Sequence, residues 1–450
     1  MTIPTLVVGA AQSGAGKTTA AMSLIAGLRR RRLVVQPFKV GPDYLDPALL
    51  TWAAGRPCRN LDGWMLPRAQ LLELFQRACR GADVAVVEGV MGLFDGRSGD
   101  GDEASTAAVA RLLDAPVILV LDAARASRTV GAVALGLSRA DPRLRVAGAL
   151  LNRVASERHR EACAAGLAAV GVPCVGHLWR QEEVALPDRY LGLVSPAEGE
   201  PRRGLRRALE RASRGLDLDA ISRAGSQPPG APDSGLFPAR RPPTRARIAV
   251  ALDRAFHFYY RDSLDLLEAW GGELVPFSPL ESPTLPAGAG GVYLGGGYPE
   301  LFAAELASNQ RLLRSLRSVN RGGALVYAEC GGAMYTARAI EDAEGRRHRM
   351  ANLWPVSVSL RRRRLTVGYR RVRACAPSFL AGSELPAHEF HYSQLQRAGA
   401  PDRPAWLVLD EGGRPEGHAS ARFAASYIHL HLGSRPGLAA AFVAACTPVS

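Results

Sequence analysis

Lysine is almost missing from this chain: 54 of its 56 basic side chains are arginine, and the two exceptions are Lys17 and Lys39. A compact ammonium group can do what a planar guanidinium cannot, which marks these two positions. Long hydrophobic runs are missing too. Runs such as Pro116 to Leu121 are strand-sized, far short of the roughly 20 residues a membrane helix needs. No basic, apolar, small-residue leader is visible, since the first apolar stretch runs straight into a glycine-rich loop, and a cytoplasmic protein without a membrane partner is expected. Paired cysteines are a third absence. The seven, Cys58, Cys79, Cys163, Cys174, Cys330, Cys375 and Cys446, are scattered and form no C-x-x-C pair. That argues against a disulfide framework or a zinc site and leaves room for one reactive thiol. The net charge of +14 is not gathered into a binding arm; the nearest thing is Arg361 to Arg364. It reads as a drift of composition toward arginine rather than a nucleic-acid surface, and it suits an acidic small substrate.

What is present is the composition of a globular protein, 47% hydrophobic and 22% charged, in 450 residues, which is about two or three domains. Apolar runs at Thr5–Val8, Leu33–Phe38, Val84–Val87, Pro116–Leu121 and Val146–Leu151 alternate with helical patterns. Such alternation predicts a parallel sheet covered on both faces. From about Glu198 to Arg247 Pro, Gly, Ser and Arg dominate, and Ser226–Thr244 in particular reads as a solvated linker. A second series follows at Ile248–Leu252, Leu274–Phe277, Val292–Leu294 and Ala324–Tyr327. The expected division is a first α/β domain over 1–197, a linker region over 198–246 and a second α/β domain over 247–450. No short internal repeat is visible.

The run Val8-Gly-Ala-Ala-Gln-Ser-Gly14-Ala-Gly16-Lys17-Thr18-Thr19 follows an apolar strand and opens a helix near Thr18. In that setting backbone N–H groups wrap phosphates, Lys17 reaches the outer ones and the Thr18 hydroxyl can ligate magnesium. Alanine at position 11 departs from the strict pattern. The next strand ends in Lys39-Val-Gly-Pro-Asp43-Tyr44-Leu-Asp46-Pro, a cation and two carboxylates at the edge where ligands of parallel sheets bind. Asp43 and Asp46 are suited to holding magnesium or orienting an acceptor, or else to forming a turn and capping a helix. Glu88, ending a third strand, is the strongest metal-ligand candidate after Thr18, because a buried strand rarely ends on a bare carboxylate. Asp95 is a candidate in the following loop. Asn152 and Arg153, ending a later strand, are placed to touch an adenine base.

In the second series, Gly323 to Met334 reads as strand, sharp turn at Cys330, then helix. That arrangement favours thiolate and exposes it. A thiol nucleophile needs an oxyanion site, which the N–H groups of Gly296, Gly297 and Gly331 can supply. It also needs a base, and Ala425 to His431 reads as a late strand with His429 and His431 on one side.

These motifs resemble the cobyrinate a,c-diamide synthase family, with its hydrogenobyrinate and nickel-sirohydrochlorin relatives. The resemblance covers nearly the whole chain outside the linker. It includes Gln36 to Tyr44, Arg59-Asn60-Leu61-Asp62, Glu88 to Gly92, Ala255-Phe256 with Phe258-Tyr259-Tyr260, Phe277 to Leu280, His388-Glu389-Phe390-His391-Tyr392-Ser393 and Ser426 to His431. It implies a P-loop domain like that of dethiobiotin synthetase, followed by a class I glutamine amidotransferase domain. The implied reaction is ATP- and Mg2+-dependent phosphorylation of the a and c acetate carboxylates of a corrin-type ring. Ammonia cut from glutamine then displaces phosphate from each acyl phosphate. Delivering neutral ammonia to a sequestered acyl phosphate avoids protonation and hydrolysis. By position, Cys330 resembles the nucleophile and His429 the residue that activates it, with His431 the second choice. Asp43, Tyr44, Asp46, Glu88 and Asp95 resemble the catalytic and substrate-binding set of the synthetase. Gly14, Gly16, Lys17, Thr18, Thr19, Lys39 and Asn152 form the nucleotide set, and Thr18, Asp43 and Glu88 the metal set.

Two departures stand out. Many such amidotransferases carry glutamate two residues beyond the histidine, where this chain has His431, as this family commonly does, and Arg189-Tyr190 replaces a usual Arg-His. The partners implied are small molecules only, the ring acid, glutamine and ATP, with a homodimer left open as the assembly. Cobyric acid synthase shares both modules, and a P-loop switch protein is the alternative from another class; the latter has no use for Cys330 or His429.

Overall fold

A computed structural model describes residues 3–97, 101–180, 184, 188–189, 192–193, 204–361, 364–396 and 403–446. Arg362, Arg363, Tyr190 and the part of the expected linker from 198 to 203 lie outside these residues. The chain divides into two compact units, Met1–Asp233 and Ser234–Ser450.

In the first unit, β1 (Thr5–Ala10), α1 (Lys17–Arg30), β2 (Val35–Val40), α2 (Leu45–Ala54) and β3 (Arg59–Leu61) lead to α3 (Arg68–Ala78) and β4 (Val84–Glu88). Then come α4 (Thr106–Leu112), β5 (Val117–Asp122), α5 (Thr129–Arg139), β6 (Val146–Val154), α6 (Glu157–Ala168) and β7 (Cys174–Trp179). The seven strands form one sheet in the order β3-β2-β4-β1-β5-β6-β7, parallel at every pair. A two-stranded ladder follows, β8 (Asp188–Arg189) and β9 (Gly192–Leu193). Buried Val, Ile, Leu and Ala side chains fill the strands because both faces are covered by helices.

Within the expected linker region of 198–246, residues 205 to 224 are helical and packed. There the chain forms α7 (Leu205–Ala212), a 3-10 turn and α8 (Leu218–Ala224). Leu205, Ala208, Leu209, Ala212, Leu216, Leu218 and Ile221 join the core that contains Ile25 and Leu28. Their spacing is that of an amphipathic helix, and the arginines between them give the stretch its solvated look. Ser226 then bridges back to Thr5, whose N–H donates to its carbonyl at 2.8 Å.

The second unit opens with β10 (Ala246–Ala251), β11 (Phe256–Phe258), α9 (Arg261–Ala269), β12 (Gly272–Phe277), β13 (Gly291–Leu294) and β14 (Gly296–Gly297). Helices α10 (Ala303–Ser308) and α11 (Gln310–Arg321) lead to β15 (Leu325–Glu329) and α12 (Gly331–Thr336). A strand-rich stretch follows: β16 (Ala337–Glu341), β17 (Arg347–Arg349), β18 (Trp354–Ser359), β19 (Thr366–Ala374), β20 (Glu384–His391), β21 (Gln394–Gln396), β22 (Trp406–Val408) and β23 (Arg414–Glu416). Last come β24 (His418–Ser420), β25 (Phe423–Ser426), β26 (Ile428–Leu430) and α13 (Leu438–Ala445). The main sheet runs β12-β10-β13-β15-β25-β24, and an antiparallel sheet runs β23-β22-β19-β20-β26. The expected single strand from Ala425 to His431 is thus two strands in two sheets, parted at Tyr427. The backbone turns there because side chains take its N–H groups: Tyr427 N–H donates to Glu416 Oε1 at 2.9 Å and Ile428 N–H to Ser426 Oγ at 2.8 Å.

Among the described residues no helix is long and apolar enough to cross a membrane.

Candidate functional site

In the first unit, the central strands β2, β4 and β1 end side by side, with Lys39 opposite Glu88 and Glu88 opposite Val8 in register. The loop after β1 arches over exposed Ala11 to Gly14, and a Cβ on Gly14 would meet nothing within 4 Å. Helix α1 starts at Lys17 behind Gly16, with no side-chain cap and no acidic residue in its first turn. Its positive end is therefore offered to an anion. Gly16 has φ 92°, and a Cβ there would stand 2.1 Å from Asn152 Nδ2. Asn152 thus backs the loop: its amide donates to the Ala15 carbonyl at 2.9 Å, and its Oδ1 accepts the Arg153 N–H. Arg153 pairs with Asp122. Both were expected at an adenine base; in the structure Asn152 meets the loop and Arg153 meets Asp122 at the sheet edge. Thr19 is half-buried on the first turn of α1.

Lys17 is buried, and its ammonium donates to the carbonyls of Gln12 (3.2 Å) and Met91 (2.5 Å). Burial and the nearby Lys39 charge lower its pKa to about 8. Thr18 Oγ1 donates to Glu88 Oε1 at 2.8 Å. Lys39 is fully spoken for: Asp46 at 2.7 Å, Glu88 at 3.2 Å and the Gly89 carbonyl at 2.8 Å take its three protons. Burial alone would lower its pKa, but the Asp46, Glu88 and Asp43 carboxylates outweigh it and raise it. Lys39 was expected to touch nucleotide; in the structure it offsets the charge of a carboxylate cluster. Burial, then the Asp46 charge, pushes Asp43 up to about 7. Burial pushes Glu88 up to about 8. Asp46 also suffers burial, yet Lys39 holds it below the usual carboxylate range.

The expected metal set of Thr18, Asp43 and Glu88 is only half assembled. Thr18 and Glu88 are bonded, whereas Asp43 Oδ1 accepts the N–H groups of Leu45 (2.8 Å) and Asp46 (3.2 Å). Among the described residues no group of three or more His, Cys, Asp or Glu side chains is arranged to hold a metal. Glu88 Oε2, however, is buried without a hydrogen-bond partner, and a free lone pair beside a threonine hydroxyl suits a hard cation. Asp95 is exposed, and its Oδ2 accepts the Gly92 N–H at 2.8 Å, which shapes the loop beside Lys17. Tyr44 caps the start of α2, half-buried beside Asp43.

Two supports escaped the motif reading. Asn60 Nδ2 donates to the carbonyls of Gly41 (2.9 Å) and Asp43 (2.7 Å), holding the acidic loop. The Thr106 hydroxyl accepts from Val90 N–H and donates to its carbonyl, holding the loop after Glu88. Asn60 lies in the Arg59 to Asp62 run, which had signalled a resemblance without a chemical task.

In the second unit, β15 ends at Glu329 and Cys330 turns the chain into α12 with φ 47° and ψ −104°. That left-handed geometry is costly for a side chain with a Cβ. Cys330 is only 7% exposed, and its thiol donates to the Phe390 carbonyl at 3.5 Å. The expected exposed thiolate is therefore not the resting state. Burial, then the Glu300 charge, raises the thiol pKa, against the Gly331 N–H that lowers it. A Cβ on Gly331 would meet Gly297 N at 2.9 Å, and one on Gly296 would meet His429 Cε1 at 2.9 Å. The three glycines are thus packed between the nucleophile turn and the histidine. That close approach is what glycine permits and alanine would not.

His429 sits on β26 opposite His388 on β20, ring centroids 6.2 Å apart. Strand β20 also carries the Phe390 carbonyl that takes the thiol. Burial, then the His388 charge, lowers His429 to about 3. His431 is fully buried, lies against Tyr260 with ring centroids 4.9 Å apart and planes tilted by 35°, and uses Nδ1 to accept the Gly433 N–H. Its Nδ1 is thus built into a turn. The surroundings of His429 were unreadable in the sequence. Glu389 accepts from Arg370 (2.8 Å), Arg414 (2.9 Å) and His391 (3.3 Å). Burial would raise Glu389, but His391 and the two arginines hold it down at about 2. His391 stacks on Tyr427, centroids 3.9 Å apart.

Comparison with known proteins follows the same division. Residues 6–193 match the family described as "CobQ/CobB/MinD/ParA nucleotide binding domain", and residues 247–437 match "CobB/CobQ-like glutamine amidotransferase domain". The chain is 42% identical over 455 residues to the cobyrinate a,c-diamide synthase of Syntrophotalea carbinolica, covering 99% of both proteins. It is 40% identical over 457 residues to that of Dehalococcoides mccartyi, covering 98% of both. A hydrogenobyrinate a,c-diamide synthase of Streptomyces coelicolor is 40% identical over 481 residues, covering 99% of this chain and 98% of the relative.

Proposed function

The chain belongs to the family of cobyrinate and hydrogenobyrinate a,c-diamide synthases, and from this premise we propose that it amidates the a and c acetate carboxylates of a corrin-type ring, using ATP and the amide nitrogen of glutamine. Likeness to such enzymes along the full length of both units carries the reading.

In the second unit the neutral Cys330 thiol attacks the carboxamide carbon of glutamine. A sulfur–carbon bond forms as the thiol proton passes to His429, whose low pKa keeps it neutral and ready to accept. The N–H groups of Gly331 and of Gly296 or Gly297 receive the oxyanion. Collapse breaks the carbon–nitrogen bond, His429 returns the proton, and ammonia leaves. Water then hydrolyses the thioester to glutamate. Because burial holds both partners uncharged, the thiolate arises only as the histidine takes its proton.

In the first unit the ring carboxylate attacks the γ-phosphorus of ATP and ADP departs. Ammonia then attacks the acyl phosphate and inorganic phosphate leaves. Lys17 and the first turn of α1 hold the phosphates, and Asp43, Asp46 and Tyr44 orient the acceptor. Lys39 keeps the acidic cluster compact by offsetting its charge. Magnesium would be held by Thr18 Oγ1 and Glu88, whose Oε2 has no other partner, and supplies charge neutralisation on the transferring phosphoryl group.

The test is Cys330→Ala: glutamine-supported amidation should vanish while ammonia-supported amidation survives. Persistence of both would remove Cys330 from the mechanism. The hydrogenobyrinate relative keeps a second substrate in play. Mass spectrometry of added amides, with cobalt-containing, nickel-containing and metal-free rings offered separately with ATP and glutamine, decides among them.

A further inference from the structure

Between Ser426 and Leu430 the second unit carries its candidate base on a segment that has left one sheet and joined another: β25 pairs with β15, β26 with β20. No ladder ties β26 to the strand that delivers Cys330. Two bonds from adjacent residues at the nucleophile turn bracket the segment instead, one to Ser426 at the end of β25 and one to Leu430 in β26. Cys330 N–H donates to the Ser426 carbonyl at 2.7 Å. The Glu329 carboxylate, 3% exposed, accepts the Leu430 N–H on Oε1 at 3.1 Å. The same oxygen accepts the Tyr327 hydroxyl at 2.9 Å, and Oε2 accepts the Tyr293 hydroxyl at 3.0 Å. The turn therefore grips both ends of the five-residue stretch whose fourth member is His429.

We propose that Glu329 is a positioning residue that fixes His429 relative to Cys330 through the Leu430 backbone, the task that a carboxylate on the imidazole performs in a three-residue triad. This rests on the reading of Cys330 and His429 as nucleophile and base. The position two residues beyond His429 is His431, whose ring is used in its own turn. Glu389, the other buried carboxylate on the neighbouring strand, is taken by two arginines and His391. Glu329 meets no cation among its hydrogen-bond partners; its acceptors are spent on one backbone N–H and two tyrosine hydroxyls that hold the carboxyl group in place. A buried carboxyl costs stability unless such donors meet it. Anchored on both sides, it transmits the position of β15 to β26.

The experiment uses the full chain and glutamine hydrolysis. Glu329→Leu keeps approximate volume but cannot accept, and should lower kcat about 10- to 100-fold while the glutamine KM stays within about threefold. Glu329→Gln keeps the oxygen that meets both Leu430 and Tyr327, and should recover most of the loss. Labelling of Cys330 by a diazoketone analogue of glutamine should slow at saturation in step with kcat. The Tyr293→Phe and Tyr327→Phe double variant keeps the Leu430 bond but removes both anchors of the carboxyl group, and should lower kcat about three- to tenfold, less than Glu329→Leu, with the glutamine KM within about threefold. Normal turnover in Glu329→Leu would overturn the proposal. So would a Gln variant no better than Leu, or unchanged turnover in the double Phe variant, whose carboxyl group has lost both anchors; the last applies even if Glu329→Leu does not fold. Cys330→Ala run alongside separates the two readings. If it still hydrolyses glutamine, the assignment of the thiol falls and this inference with it; if it is dead while Glu329→Leu is normal, only the inference falls.

Discussion

The two candidate sites solve opposite electrostatic problems. In the first unit Lys17, Lys39, Asp43, Asp46 and Glu88 converge where three parallel strands end, and charge is met by charge at distances such as 2.7 Å between Lys39 and Asp46. In the second, Cys330, His388, His429 and His431 are all buried and held neutral, the thiol raised and the imidazoles lowered to about 3 or 4. A phosphate cradle needs its charges standing before the ligand arrives, because their preorganisation is what stabilises the transferring group. A nucleophile that must cut an amide without free water is better kept uncharged until substrate fills the pocket. The difference lies in the strand ends: Glu88 and Lys39 face each other in register, whereas Cys330 sits on a strained turn between glycines.

The sharpest way to break this comparison is to remove one group from each side. Lys17→Ala should abolish amidation from glutamine and from ammonia alike, by about 10²- to 10³-fold or more. Cys330→Ala should lose the glutamine route by a comparable or larger factor and retain the ammonia route, both measured by ADP release and amide mass. Next in size is Leu209→Ala in α7. It opens a cavity in the first unit's core and should cost about 2–5 kcal/mol, read as faster hydrogen exchange in α1 and β1. A merely tethering segment would give no such change. Asn152→Ala should raise the KM for ATP several-fold, as expected for loss of about 1 kcal/mol from one buried hydrogen bond behind the phosphate loop. Glutamine hydrolysis in the second unit should be unchanged in steady-state assays without ring substrate.

The smallest effect, and the one that separates the units most cleanly, is with pH. Asp43 and Glu88 sit at about 7 and 8, above their unfolded values near about 4. The native first unit therefore binds more protons than the unfolded chain across that window, and its stability falls as pH rises through it. His388, His429 and His431 sit at about 4, 3 and 3, below about 6.5 for a free imidazole. For these three groups the unfolded state binds more protons, so their contribution is full above about pH 6.5 and is lost as pH falls; Glu329 and Glu416, raised by burial, act in the opposite sense but are two groups against three. Between pH 5 and 6.5 the two slopes have opposite sign, each group contributing at most about 1.4 kcal/mol per pH unit. Hydrogen exchange resolved by unit and corrected for intrinsic rates should show the crossing. Parallel slopes would mean that Asp43 and Glu88 do not hold protons in the folded first unit.

Much of this was legible in residue order. The two alternating α/β series, the glycine-rich loop before α1 and the elbow at Cys330 carry local signals: apolar runs of strand length, glycine where the chain turns sharply, and lysine kept at only two places. Less legible was anything that depends on a partner far along the chain. The arginine-rich look of 205–224 hid an amphipathic pair of helices, because composition averages over the face that packs on Ile25 and Leu28. Lys39 reads as a phosphate ligand until Asp46, Glu88 and the Gly89 carbonyl are seen to take all its protons.

The sequence by itself determined the architecture of each unit, the phosphate loop and the identity of the candidate thiol, since short-range spacing and glycine placement are enough for these. The tertiary structure alone decided that the thiol is buried, which pushes its pKa up, and that His431 is built into a turn. It also decided that the strand carrying His429 is held by a carboxylate a hundred residues earlier. Burial and long-range hydrogen bonds set protonation and position, and neither is encoded in any local window.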